Sequence, residues 1–219
     1  MPLWSKIDTI IFDMDGTLLD LHFDNYFWLV LVPKIYSEKY GISKQLALEI
    51  ILAKTEKVRG TLNWYCLDYW ENELKINIVK LKMSITHKIA LRPSSESFLS
   101  ALRDQDKNLL LVTNAHPASL DIKMKHVAIF HYFNKLISSH NLRLAKENRG
   151  FWNKLQRVEP FDPSRTILFD DSLPVLYQAR QEGIKYLYGI RQPDSQKPKV
   201  MNTEFPLVED FKDLMPIAI

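Results

Sequence analysis

Apolar positions along the chain fall into short runs that end at polar residues. Residues 7–12 (IDTIIF) are rich in β-branched side chains and stop at Asp13-Met14-Asp15-Gly16. A short apolar run cut off by a polar loop reads as a strand buried on both faces of a parallel sheet. Residues 109–112 stop in the same way at Thr113-Asn114, and residues 166–169 stop at Asp170-Asp171-Ser172. Residues 184–190 follow Gly183, a residue type that ends helices. Residues 133–138 form a weaker fifth candidate. Helical patterns lie between the runs: from Ser94 or Ser95 to 102, then 121–129, 148–158 and 174–182. Strands alternating with helices predict an α/β fold with a parallel sheet, whose ligands bind beyond the carboxyl ends of the strands.

Residues 21–91 break that alternation. They read as helices over about 23–40, with Pro33 as a kink or break, and over 43–58 with a stop at Gly60. The block carries Tyr26, Phe27, Trp28, Trp64, Tyr65, Tyr69 and Trp70. Aromatic residues at helical spacing are mostly core, so one or two of the seven are expected to face a ligand. The expected organisation is a core of residues 1–20 and 92–219 with a helical cap of residues 21–91, hinged near Asp20 and Arg92-Pro93. The segment from Gln192 onward is expected to be irregular.

Composition changes this picture little. The chain has 219 residues, 46% hydrophobic and 25% charged, which suits a globular protein with one core and a modest insertion. The formal net charge is +3 and no dense Lys/Arg block occurs, so nucleic acid is not an expected partner. One cysteine, Cys66, excludes an intrachain disulfide. Neither a signal-peptide pattern at the start nor an apolar run of membrane-spanning length is visible. The expectation is therefore a cytoplasmic, unanchored protein.

The strand ends carry the chemistry. Asp13 and Asp15, one residue apart after an apolar run, can approach one reaction centre. Asp13 can attack phosphorus, and Asp15 can give a proton to the leaving oxygen and take one from water. Gly16 permits the tight turn that follows. Read alone, these residues also fit an ordinary strand-end turn. Thr113 offers a hydroxyl, and Asn114 its backbone N–H, to phosphoryl oxygens; Lys146 offers charge. Asp170 and Asp171 are adjacent acids that repel one another, so they suggest a hard cation such as Mg²⁺, although Asp171 or Ser172 also suits a helix cap. The histidines show no metal-ligand spacing.

In this order, Asp13-x-Asp15-Gly16-Thr17, Thr113-Asn114, Lys146 and Asp170-Asp171-Ser172 resemble the four signature motifs of the haloacid dehalogenase superfamily. The resemblance covers about residues 5–20 and 92–190. It implies a Rossmann-like core and Mg²⁺ held by Asp13, the backbone carbonyl of Asp15 and Asp171, with Asp170 supporting a metal-bound water. Asp15 favours phosphoryl transfer, because members that cleave carbon–halogen bonds lack it. Lys146 is followed by Glu147-Asn148, where many members have proline. The segments Leu19–Trp28, Thr61–Trp70, Thr113–Pro117 and Gln192–Ser195 resemble the bacterial purine nucleotidase branch. That implies a 5′-nucleotidase acting on GMP and IMP, with Asn25, Tyr26, Asn63 and Trp64 as candidate substrate contacts. A sugar-phosphate or phosphoglycolate phosphatase, a phosphomutase and a silent binding protein are the alternatives.

Overall fold

The fold is described from a computed structural model, for residues 2, 4–201 and 203–215. Six parallel strands form one sheet in the order β3-β2-β1-β4-β5-β6. They are β1 (Thr9–Phe12), β2 (Asn108–Thr113), β3 (Lys135–Ser138), β4 (Thr166–Phe169), β5 (Tyr186–Ile190) and β6 (Leu207–Val208). The five expected strands are all present, including the weak one at β3. The two-residue β6 pairs with Gly189 and Ile190 inside the stretch expected to be irregular.

The middle strand shows why apolar runs were the signal. All four residues of β1 are buried, and they alternate between two cores. Ile10 and Phe12 join the larger cluster, whereas Ile11 joins the cluster built around Phe151, Trp152 and Leu168. Phe12 stacks on Phe169 of β4 at 5.2 Å between ring centres. Full burial of each such side chain contributes about 1.5–3 kcal/mol.

Five helices in the sheet-forming parts, with the loops between them, pack around the sheet. They are α7 (Ser95–Arg103), α8 (Pro117–Val127), α9 (Ser139–Leu142), α10 (Phe151–Val158) and α11 (Leu173–Gln181), joined by short 3₁₀ turns such as Pro163–Arg165 and Phe211–Leu214. Helix α8 starts four residues earlier than expected. Pro117 occupies its first position and His116 Nδ1 accepts from the Ala118 N–H, so residues 117–120 form its first turn.

Between β1 and β2 lie the inserted helices: α1 (His22–Tyr26), α2 (Val32–Tyr40), α3 (Lys44–Val58), α4 (Leu62–Tyr65), α5 (Leu67–Leu74) and α6 (Ile78–Met83). A π-helical turn, Phe27–Leu31, connects α1 to α2. The irregularity expected from Pro33 therefore sits in the turn before it, and the proline itself stands in the first turn of α2. Ser43 caps α3 through the Leu46 N–H. The two chain crossings into and out of the insertion run side by side: the Asp20 N–H donates to the Ala90 carbonyl and the Arg92 N–H to the Leu18 carbonyl, each at 2.9 Å. The segment after β5 lies against the entry, where the Leu21 N–H donates to the Pro193 carbonyl and the Asn25 amide to Asp194 Oδ2 at 2.6 Å.

The order of the strands locates the site. From β1 the chain builds outward through β2 and β3, then returns to build β4, β5 and β6 on the other side. The crevice at such a reversal lies over the carboxyl ends of β1, β2 and β4, which are followed by Asp13, Asn114 and Asp170.

Candidate active site

Asp13 follows β1, and its buried carboxylate receives the Lys146 ammonium at 2.5 Å through Oδ1. The same ammonium donates to Asp170 Oδ2 at 2.7 Å and to the Val112 carbonyl at 3.1 Å, so its three protons are all used. Asp170 also accepts the Ser172 N–H through Oδ1. Burial raises the Asp13 carboxyl to about 6, against the pull of Lys146. It remains ionised at neutral pH with Oδ2 uncommitted to the lysine. Lys146 is held charged: burial disfavours the ammonium, but Asp13 and Asp170 outweigh it.

Asp13, Asp170 and Asp171 present carboxylate oxygens within 4.8 Å of one another. Three carboxylates face one buried lysine, a charge imbalance that burial makes costly. Burial and the neighbouring Asp13 and Asp170 hold the Asp171 carboxyl well above the usual range. Gly16 makes room for this acid. It adopts a φ of +85°, and a Cβ at that position would stand 2.5 Å from Asp171 Oδ2. A compact, all-oxygen donor set with surplus negative charge fits a small hard dication. These residues therefore fit Mg²⁺, with Asp13 and Asp171 as side-chain ligands. Asp170 accepts from Lys146 through Oδ2 and from the Ser172 N–H through Oδ1, which fixes its carboxylate beside the other two.

Asp15 sits two residues beyond Asp13 with its carboxylate partly exposed. Its Oδ1 receives the Lys123 ammonium at 2.6 Å, so Oδ2 is not used by that lysine. Burial raises its carboxyl to about 6, against Lys123. A carboxyl titrating near neutrality suits a group that must both give and take a proton. Thr113 ends β2, and its Oγ1 accepts the Ala115 N–H at 3.0 Å, which keeps the hydroxyl proton available to an oxyanion. The Asn114 side chain has a different job: its Oδ1 accepts the Lys146 backbone N–H at 2.9 Å and its Nδ2 donates to Glu147 Oε2 at 2.8 Å. Its contribution to a phosphoryl group is thus limited to the backbone N–H.

The substrate candidates in the insertion are more dispersed. The Asn25 amide is committed to Asp194, and Asn63 is exposed. Tyr26 lies beneath the Lys88 ammonium, and Trp64 packs on Tyr65 and the Arg59 guanidinium. Phe27 and Trp70 are core. Among the seven aromatic residues, Tyr65 has the polar link to the crevice: its hydroxyl donates to Glu147 Oε1 at 2.8 Å. Glu147 thereby joins α4 to Asn114, a role signalled in the sequence only by the absence of proline after Lys146.

Sequence reading gave no role to Lys123 or Lys82, and it included Asp24 only as one residue of a cap segment. Lys123 Nζ lies 2.5 Å from Asp24 Oδ2, and Lys82 Nζ lies 2.7 Å from Asp24 Oδ1. Burial opposes ionisation of Asp24, but the two lysines hold its carboxyl well below the usual range. The fold also gathers Cys66, His116 and His140 within 4.8 Å. His116 Nδ1 accepts the Ala118 N–H, and its Nε2 faces Asp68 Oδ2 at 3.7 Å.

With this geometry in hand, likeness to known proteins adds independent support. A family model described as haloacid dehalogenase-like hydrolase matches residues 7–180. The chain is 38% identical over 213 residues to "GMP/IMP nucleotidase YrfG" of Escherichia coli (strain K12), covering 97% of this chain and 96% of that protein; the Shigella flexneri protein of the same name matches equally. The crystal structure of a HAD phosphatase from Thermococcus onnurineus superposes with a TM-score of 0.79 at 22% identity, covering 95% of this chain and 96% of that one. The last comparison supports the fold alone.

Proposed function

The chain belongs to the haloacid dehalogenase-like hydrolase family, and from that premise we propose that it is a Mg²⁺-dependent phosphomonoesterase acting on purine nucleoside 5′-monophosphates such as GMP and IMP. The observation that carries the reading is the Asp13 carboxylate, paired with Lys146 through one oxygen and clustered with Asp170 and Asp171 at the strand crevice. The purine preference is supported by the nucleotidases that the chain resembles over almost its whole length.

In this mechanism Asp13 Oδ2 attacks phosphorus and forms an aspartyl-phosphate as the bond to the ribose 5′-oxygen breaks. Asp15, protonated at that moment, gives its proton to the departing oxygen. As a carboxylate it then takes a proton from the water that hydrolyses the acyl-phosphate, returning Asp13. Thr113 and the Asn114 N–H donate to the phosphoryl oxygens, and Lys146 offsets negative charge at Asp13. Asp13, the Asp15 carbonyl and Asp171 would hold Mg²⁺, which supplies the positive charge that a dianionic ester needs beside a carboxylate nucleophile. Asp170 keeps Lys146 in place. Residues 21–91 are the cap over this crevice, and Tyr26 and Trp64 offer faces on which a purine can stack, worth ~1–3 kcal/mol per base. Asn25 and Asn63 are the cap amides nearest in sequence to those rings.

The test is phosphate release from a panel of nucleoside monophosphates and sugar phosphates, with Mg²⁺ and with chelator. GMP and IMP are expected to be the best substrates, activity is expected to vanish on chelation, and Asp13→Asn is expected to abolish turnover in a protein that still folds. A sugar phosphate cleaved far faster than either nucleotide would overturn the purine assignment. Wild-type rates in the Asp13→Asn variant would overturn the mechanism.

A further inference from the structure

We propose that Lys123 is a positioning residue for Asp15, and that Asp24 and Lys82 of the cap hold Lys123 in that role, so that the core's proton-transfer group is set by the cap. The inference rests on the phosphomonoesterase reading above and names a regulation of that same site.

The four groups form one chain of alternating charge. Asp15 Oδ1, Lys123 Nζ and Asp24 Oδ2 are joined by contacts of 2.6 and 2.5 Å, and Asp24 Oδ1 meets Lys82 Nζ at 2.7 Å. Each comes from a different element: the loop after β1, α8, α1 and α6. Both lysines are almost wholly buried, at 1% and 2% exposure. Their ammonium groups also lie over the Phe23 ring, at 5.1 Å for Lys123 and 4.9 Å for Lys82. Immobilising a lysine side chain costs rotamer freedom, and burying its charge costs more. An apolar pair of similar volume would fill the space without that cost, so the residues are better explained by what the chain ends on.

It ends on the proton donor. Lys123 ties down one oxygen of Asp15 and leaves the other free to serve the departing ester oxygen. The core divides its two buried lysines, with Lys146 serving Asp13 and Asp170 while Lys123 serves Asp15. Asp24 and Lys82 travel with the cap, whereas Lys123 and Asp15 stay with the core. When the cap lifts, Lys123 loses Asp24 and with it the contact that fixes its direction. Proton donation to the leaving group is therefore complete only when the cap is seated over a substrate.

The effect has a readout that a merely structural role would not move. Help from a general acid matters most for a poor leaving group such as a ribose hydroxyl, and least for p-nitrophenolate, which leaves with little assistance. The quantity to measure is kcat/KM, which reports only the steps through transfer to Asp13 and excludes the later attack by water. Lys123→Met is expected to lower kcat/KM for GMP on the order of 10²-fold, and to lower that for p-nitrophenyl phosphate at least ~10-fold less. Asp24→Asn, which keeps Lys123, is expected to shift the ratio of the two in the same direction by a smaller factor, and decides the matter if Lys123→Met does not fold. The double variant Asp24→Asn with Lys82→Met removes one charge of each sign. Its melting temperature is expected to recover while the substrate ratio stays shifted. Equal losses on both esters, or a ratio that returns with the melting temperature, would overturn the inference. If the wild type cleaves p-nitrophenyl phosphate and glycerol phosphate but no nucleotide, the purine reading fails while the same ratio, taken with glycerol phosphate, still decides the role of Lys123.

Discussion

Gly16 and Asp171 compete for one small volume, and that competition explains why the acid pair is followed by glycine. The backbone at Gly16 has φ +85°, a conformation that L side chains rarely adopt, and Asp171 Oδ2 stands where a Cβ would go. Gly16→Ala therefore carries two penalties: about 1 kcal/mol or more of backbone strain, and displacement of a proposed metal ligand. Mg²⁺ affinity, measured by calorimetric titration, is expected to fall on the order of tenfold to a hundredfold, as when a ligand's supporting contacts are altered. Gly41→Ala is the control, since that glycine has φ +64° with open space around it; it is expected to lower stability and leave affinity unchanged. The motif residues were legible because each ends an apolar run, where a chain places what it must present at a sheet edge. Lys123 was not legible. A lysine on a helix reads as solvated, and only the packing of α1 and α6 over α8 turns it into a buried partner of Asp15.

Elements meet across the crevice through Glu147. Its two oxygens accept from Tyr65 of α4 and from Asn114 just beyond β2, while Asn114 Oδ1 takes the Lys146 backbone N–H. Glu147→Ala leaves both donors without their acceptor and is expected to cost about 1–3 kcal/mol in denaturant unfolding. Tyr65→Phe removes one bond and is expected to cost about 0.5–1.5 kcal/mol. Both variants are expected to raise KM more than they lower kcat, because the tie seats α4 and does not touch the reacting atoms. Element boundaries were partly visible beforehand. β1 to β5 could be read because strands buried on both faces are apolar without a break. The start of α8 could not: His116-Pro117 resembles a loop until the proline is taken as a first helical residue. β6 has only two residues, too few for any periodicity, and it depends on the absent side chain of Gly189, where a Cβ would meet Leu207 at 2.7 Å. Tyr65 stood out only as one aromatic among seven, because its distinction lies in where its hydroxyl ends.

At the scale of the whole molecule, the crevice concentrates negative charge that folding alone does not balance. Burial raises the carboxyls of Asp13 and Asp15 from 3.8 to about 6, and that of Asp171 well above 3.8. A carboxyl with a raised pKa binds its proton more tightly in the folded chain than in the unfolded one. Its contribution to stability is then greatest below about 4 and declines as pH rises through the folded pKa. A cation seated on Asp13 and Asp171 reverses the sign, since it favours the ionised forms that the metal-free fold disfavours. Metal-free protein is therefore expected to lose stability from about pH 4 toward pH 7, after allowance for its other groups, and the loss is expected to be repaired by Mg²⁺. At a hundred times its dissociation constant a ligand adds about 2.7 kcal/mol, which for a chain of this size is roughly 5–10 °C in melting temperature. Thermal melts with Mg²⁺ and with chelator are expected to differ by that amount near pH 7.5 and by much less near pH 5, where protons and the cation compete for the same oxygens. Asp171→Asn separates this effect from general screening by salt: it removes a buried negative charge, so the metal-free protein is expected to melt higher than wild type at neutral pH while its response to Mg²⁺ largely disappears. A Mg²⁺ response in that variant as large as the wild type's would place the cation elsewhere on the molecule.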